Sequence, residues 1–139
     1  MKKRTPISTI MTTALVTLNH NDDLETAERL FKKENIRHIP VVNGSAIIGM
    51  LSYTDLLRIS FADAVDEDEE NVDTVVYNMF TIEQVMAKNV VSISSSTTIK
   101  EVAEILAKKE FHALAVVDDD KLVGIVTTTD LINYLLDQF

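Results

Sequence analysis

The sequence predicts an α/β (α+β) fold built from two copies of one unit. Each copy runs roughly helix-β-α-β-β-α, and the two are expected to pack sheet to sheet with pseudo-two-fold symmetry. Three observations carry this. A set of residues recurs at a fixed spacing of 75: Ile7 with Ile82, Met11 with Met86, Val16 with Val91, Lys33 with Lys108, and Thr54-Asp55-Leu56 with Thr129-Asp130-Leu131. Each copy holds two short apolar runs rich in β-branched residues around a turn signal, which reads as a β-hairpin; in copy one these are Ile39–Val42 and Ala46–Leu51 about Asn43-Gly44-Ser45. An amphipathic helical pattern precedes each hairpin, so sheet and helix alternate within a copy.

In chain order, Thr5-Pro6 reads as a helix start, Thr as N-cap and Pro at the first helical position, with a short helix to about Met11. Its counterpart opens at Thr81, where Thr81-x-x-Gln84 is a capping box. A strand is predicted over Leu15–Leu18 and again over Val90–Ile93. Helices follow, with core positions Leu24, Ala27, Leu30 and Phe31 in copy one and Ile99, Val102, Ala103, Leu106 and Ala107 in copy two, the second opened by a Thr98-x-x-Glu101 box. The hairpin and a closing helix near Asp55 or Asp130 complete each copy. A single copy leaves one sheet face bare, and two copies together can bury it. The predicted layout is repeat one over 1–62, an acidic linker and lead-in over 63–80, and repeat two over 81–139.

The linker crowds Asp63, Asp66, Glu67, Asp68, Glu69, Glu70 and Asp73 together, and like charges at that density favour a solvated loop. Asp66, Asp68 and Glu70 have the alternate spacing of calcium ligands, but neither the turn glycine nor the later bidentate Glu of a calcium loop follows, so no metal is expected. With 139 residues, 46% of them hydrophobic, the chain can bury a core. It contains no cysteine, which excludes disulfides and thiolate metal sites and suits a reducing cytoplasm. Neither a signal-length apolar segment nor a membrane span is expected. A formal net charge of −9 argues against nucleic acid as the main partner and obliges any anionic ligand to find a local cluster of donors.

Two hydroxyl–carboxylate pairs lead the site candidates. Ser52 and Thr127 end a strand, and Asp55 and Asp130 fall in the first turn of the helix that follows. Such residues can simply cap a helix and complement its dipole. They can also bind a ligand, because a carboxylate accepts from both hydroxyls of a cis-diol and a helix N-terminus favours phosphate. Arg37 and the aligned His112 enter the first hairpin strand, with His38 next to Arg37; Arg offers a fork of donors, whereas the charge of His changes near neutrality. No acid/base or nucleophile set and no glycine-rich phosphate loop emerges, so an enzyme is not expected.

The Met11 and Met86 openings, the Ile39-Pro40-Val41-Val42 run and the two Gly-apolar-apolar-Ser/Thr-x-x-Asp endings at Gly49–Asp55 and Gly124–Asp130 resemble the CBS motif. The pair is similar to a tandem CBS, or Bateman, module over nearly the whole chain. That resemblance implies that Ser52 and Thr127 donate to a phosphate, that Asp55 and Asp130 accept from ribose hydroxyls, and that the strand-entry residues Arg37, His38 and His112 reach phosphates. It further implies that Val16-Thr17 and Val91-Ser92 on the first strands contact the ligand through backbone and an apolar wall. Pro40 stiffens one pocket where copy two has Ala115.

The function expected is a regulatory sensor module, without obligatory cofactor, that binds an adenine nucleotide (AMP, ADP or ATP) between the repeats and signals to an effector protein. Alternatives are a module binding another adenosyl ligand such as S-adenosylmethionine, and a structural dimerisation module with empty pockets. The resemblance implies a homodimer formed through helices, and the apolar stripe Leu131, Ile132, Leu135, Leu136 and Phe139 offers a surface for one.

Overall fold

A computed structural model describes residues 4–63, 79–109 and 112–139. Most of the acidic linker lies outside the described residues.

The chain divides into two compact units: Val16–Val90 forms one, and Val91–Phe139 joins the segment up to Leu15 in the other. Each holds a three-stranded mixed sheet. In the Val16–Val90 unit β1 (Leu18–Asn19) runs parallel to β2 (His38–Asn43), which pairs antiparallel with β3 (Ala46–Ser52). Helix α1 (Leu24–Glu34) connects β1 to β2, and α2 (Tyr53–Asp63) follows β3. In the other unit β4 (Ser92–Ile93), β5 (Ala113–Asp118) and β6 (Lys121–Thr127) repeat this order, with α4 (Ile99–Lys108) and α5 (Thr128–Asp137) as the helices. Between the repeats, α3 (Ile82–Val85) is a short turn of helix.

The register repeats as faithfully as the sequence does. Leu18 pairs with Val41 as Ile93 pairs with Val116. Ile39 faces Leu51 as Leu114 faces Val126, and the ladder shifts by one residue after Val41 in one sheet and after Val116 in the other. The two hairpin turns differ in chemistry. Gly44 takes φ +67 in the first, which costs a residue without Cβ nothing. Asp119 and Asp120 both take positive φ in the second, the conformation of a two-residue I′ turn.

The predicted helices form with their caps. Asp23 accepts from Thr26 N–H at 2.8 Å to open α1, and Asn35, left-handed, closes it. Thr81 and Gln84 make the reciprocal capping box. At α4 the box is half formed: Thr98 accepts from Glu101 N–H, while its hydroxyl donates to the Glu101 carboxylate at 3.0 Å. Leu24, Ala27 and Phe31 are buried in one core, and Val102 and Leu106 in the other. Ala107, expected in the core, is exposed, and Ile105 packs there instead.

Two expectations at the chain's start are corrected. Thr5 does not cap a helix. Pro6 holds the cap position in extended backbone without a side-chain bond, and only a 3-10 turn, Ile7–Thr9, follows. The reason is a competing use of the backbone: Ile7 N–H donates to Thr97 O and Ile99 N–H to Thr5 O, so Pro6 is held in a bridge with Thr98. The first strand begins at Leu18, not Leu15, because the chain leaves one compact unit for the other between Leu15 and Val16.

That passage shapes each unit. The lead-in of repeat one, with buried Ile7, packs into the core made by repeat two; the lead-in of repeat two, with buried Ile82 and Met86, packs into the core made by repeat one. Thr12 exchanges two backbone hydrogen bonds with Ile125, and Ala87 exchanges two with Met50, all between 2.8 and 3.0 Å. Beside each bridge a methionine thioether rests on a glycine, Met11 on Gly124 and Met86 on Gly49. A Cβ at either glycine would lie closer to the sulfur than van der Waals contact allows.

Gly49→Ala and Gly124→Ala should therefore each destabilise by about 1–3 kcal/mol through overpacking, read as a lowered urea midpoint at constant slope. The Asp118 carboxyl is held below its ordinary 3.8 first by the Ser95 hydroxyl and then by Ser95 N–H. A depressed carboxyl adds stability above its ordinary value and loses it as pH falls through the lowered one. The penalty of Asp118→Asn, present near neutral pH, should thus shrink as pH falls below the ordinary carboxyl value in acid titrations of stability.

Candidate functional site

The endings of β3 and β6 bring strand, helix and polar side chains together. Ser52 Oγ accepts from Asp55 N–H at 3.0 Å, and Thr127 Oγ1 accepts from Asp130 N–H at 3.2 Å. Both hydroxyls thus cap a helix. An oxygen that accepts in this way keeps its own proton to donate, so capping and ligand binding are compatible. The caps also orient the hydroxyls, since the strand end and the first helical turn are fixed together.

The two carboxylates differ. Asp130 turns back and accepts from Thr127 N–H at 2.9 Å, completing a capping box, so one of its oxygens is committed. Asp55 meets the Arg58 guanidinium at 3.4 Å. Asn133 stands at the position equivalent to Arg58. Both aspartates are half-buried within the first turn of their helices, where a negative charge is favoured by the exposed N–H groups.

Cross-strand register places the remaining candidates. His38 lies directly opposite Ser52, and Ala113 opposite Thr127. Partners in a ladder share a face, so in the first sheet His38 stands with Ser52, and Pro40 with Met50, on the face away from the α1 and α2 core; Ile39, Val41 and Leu51 take the core face. In the second sheet Ala113 and Ala115 take the places of His38 and Pro40. Thr17 and Ser92 are exposed at the starts of their strands, while Val16 is half-buried and Val91 exposed.

Arg37 and His112 stand at the strand entries, their carbonyls accepting from the first helical N–H, Tyr53 at 2.9 Å and Thr128 at 3.1 Å. Arg37 also lines a cleft of about 440 Å³ between the end of α1 and the start of α2, together with Lys32, Phe31, Tyr53 and Leu57. The Phe31 and Tyr53 rings stack with centroids 5.1 Å apart. This cleft went unread in the sequence. Its only signal is that the repeats disagree there: Leu106 and Thr128 stand where copy one has Phe31 and Tyr53. Among the described residues no group of acidic, His or Cys side chains could hold a metal ion, and no helix is long and apolar enough to cross a membrane.

Ser52→Ala and Thr127→Val should each cost about 1 kcal/mol of stability before any ligand is added, the loss of one helix cap, measurable by urea unfolding.

A family model described as the CBS domain matches residues 7–62 and again 82–137. Among curated proteins, the chain is 29% identical over 131 residues to the uncharacterized protein MJ1225 of Methanocaldococcus jannaschii, covering 94% of this chain and 42% of that one. It is 28% identical over 121 residues to the CBS domain-containing protein YhcV of Bacillus subtilis, covering 87% of this chain and 79% of YhcV. The chain therefore spans less than half of MJ1225, and only 25% of a homoserine O-acetyltransferase of Methanohalobium evestigatum that it also matches. Among solved structures, the CBS domain pair of protein MJ0100, in complex with 5′-methylthioadenosine and S-adenosyl-L-methionine, superposes with a TM-score of 0.75 at 26% identity over 94% of this chain and 99% of that one. CBSX2 in complex with AMP superposes with a TM-score of 0.78 at 21% identity, covering 96% and 98%, a likeness of fold.

Proposed function

This chain belongs to the CBS domain family as a tandem pair, and from that premise we propose that it is a regulatory module binding an adenine nucleotide, not an enzyme. The observation that carries this reading is the duplicated ending, in which a strand-end hydroxyl with a proton to donate stands beside a first-turn carboxylate. The hydroxyl suits a phosphate oxygen, and the carboxylate suits the two hydroxyls of a ribose. We assign Ser52, Asp55 and His38 to one ligand and Thr127, Asp130 and His112 to a second, with Val16-Thr17 and Val91-Ser92 as strand contacts and Pro40 as a rigid wall. We leave Arg37 outside this set, because it lines the α1–α2 cleft. A second reading, S-adenosyl-L-methionine as ligand, is favoured by the ligands of the MJ0100 pair. A chain without cysteine suits the cytoplasm, where we place it.

The exposed apolar residues of α5 support a homodimer: Ile132, Leu135 and Leu136, with Phe139 beyond the helix, 97% exposed. An effector protein would read the ligand state.

Calorimetry with AMP, ATP and S-adenosyl-L-methionine tests the function. Asp55→Ala and Asp130→Ala should each weaken one binding event about ten- to a hundredfold, the loss of a charged acceptor. The Asp55 event is expected to be the tighter one, because Asp130 has an oxygen committed to its cap. His38→Ala should weaken binding, and Arg37→Ala should leave it within about threefold. Absence of heat and of any melting shift with all three compounds at millimolar concentration would favour the interaction module without ligand.

A further inference from the structure

We propose that Met11 is a redox-sensitive latch: oxidation of its thioether to the sulfoxide frees the lead-in of repeat one from the sheet on which it rests. The latch needs no ligand. Ile7, Ile10 and Met11 pack on the core of the Val91–Phe139 unit, and Thr12, Thr13 and Ala14 after them are exposed. Met11 is thus the last of these anchors before the chain turns to solvent. Its sulfur lies against Gly124, where a Cβ would stand only 2.7 Å away. Such a seat takes a bare thioether and leaves no room for an oxygen between sulfur and strand.

The backbone beside this contact cannot receive that oxygen either. A sulfoxide is polar and needs a hydrogen-bond donor when buried. Thr12 N–H donates to Ile125 O at 2.8 Å, Ile125 N–H to Thr12 O at 3.0 Å and Met11 N–H to Ile7 O at 2.9 Å, so these donors are committed. The oxidised side chain gains its hydrogen bonds from water, by leaving the seat. Met11 is only half-buried, whereas Met86 in the equivalent seat on Gly49 is 9% exposed. The chain has no cysteine, so its only oxidisable sulfurs are the thioethers of its five methionines. Susceptibility follows exposure, which ranks Met79, 65% exposed, before Met11 and Met11 before Met86. Met79 already faces water, where a sulfoxide disturbs little. In the reaction a peroxide passes one oxygen to the sulfur lone pair; the O–O bond breaks, water or an alcohol leaves, and the thioether loses two electrons. A dithiol reverses it, the oxygen leaving as water while the two thiols close to a disulfide.

The test treats the full chain with hydrogen peroxide and follows it by peptide mass spectrometry and urea unfolding. Met11 should convert severalfold faster than Met86. The urea midpoint should fall in step with Met11 sulfoxide and recover after treatment with methionine sulfoxide reductases. Met11→Leu keeps an apolar side chain on Gly124 without a sulfur, and its midpoint should not move with peroxide. Met50, Met79 and Met86 remain in that variant, so a fall as large as in the wild type would trace the effect to them and overturn the proposal. Conversion of Met11 no faster than Met86 would overturn it too. Amide hydrogen exchange on the oxidised wild type decides the case even where Met11→Leu does not fold. Thr12 and Ile125 should lose protection while Met50 and Ala87 keep theirs. Protection retained at Thr12 and Ile125 would show that the lead-in stays seated, and the latch would be refuted.

Discussion

Each unit of this protein depends on a methionine lying on a glycine. Without a Cβ at Gly49 and Gly124, the thioether of a lead-in can settle against the middle of the hairpin's second strand, and the backbone beside it comes close enough to exchange two hydrogen bonds. An unbranched, polarizable side chain suits a seat of this kind. The contact fixes a segment that has little else to hold it: a 3-10 turn of three residues or a helix of four cannot persist by local hydrogen bonds alone. The buried Ile7 and Ile82 then complete cores that the hairpin and its two helices leave open. Because each lead-in serves the core of the other repeat, neither repeat by itself contains everything that its own sheet is packed against.

That exchange has a consequence for the candidate site. The Met50–Ala87 and Ile125–Thr12 bridges sit two residues before the capping hydroxyls Ser52 and Thr127. From each bridge the chain runs only a few residues to the first strand of the other unit, where Thr17 and Ser92 stand. A change at a strand ending therefore has a short covalent route to the opposite unit. For a module read as a regulator, such a route gives ligand binding something mechanical to act on. The caps serve the same end: accepting from the helix holds each hydroxyl oxygen in place, which reduces the ordering that a ligand would have to impose.

The copies have parted company in ways that bear on use. His38 faces Ser52 where Ala113 faces Thr127, and Asp55 meets an arginine where Asp130 turns back to its own cap. The backbone symmetry is kept, down to the shifted register in both ladders, while the side chains that touch solvent are not. Sheet register is set by buried alternation and tolerates little change, whereas exposed positions are open to specialisation. Two strand endings alike in backbone and unlike in side chain are what such divergence produces.

Much of this was legible in the sequence. The 75-residue period fixed the number of units. Alternation and turn residues fixed the hairpins, and side chains able to accept from N–H three residues on fixed the helix starts at Thr81 and Thr98; the closing helices, expected near Asp55 and Asp130, begin two residues earlier, capped by Ser52 and Thr127. All of these are local effects, in which the partners lie within a few residues of one another. The tertiary structure decided what local chemistry leaves degenerate. Met11 could rest on Gly49 or on Gly124, since both glycines stand in nearly the same local sequence, and only the closed cores select the second. The same long-range choice took Pro6 from a helix start into a bridge with Thr98 and moved the first strand forward to Leu18. It also set Arg37, one residue before β2, beside the rings of α1 and α2, which are distant in sequence and meet only in the folded unit.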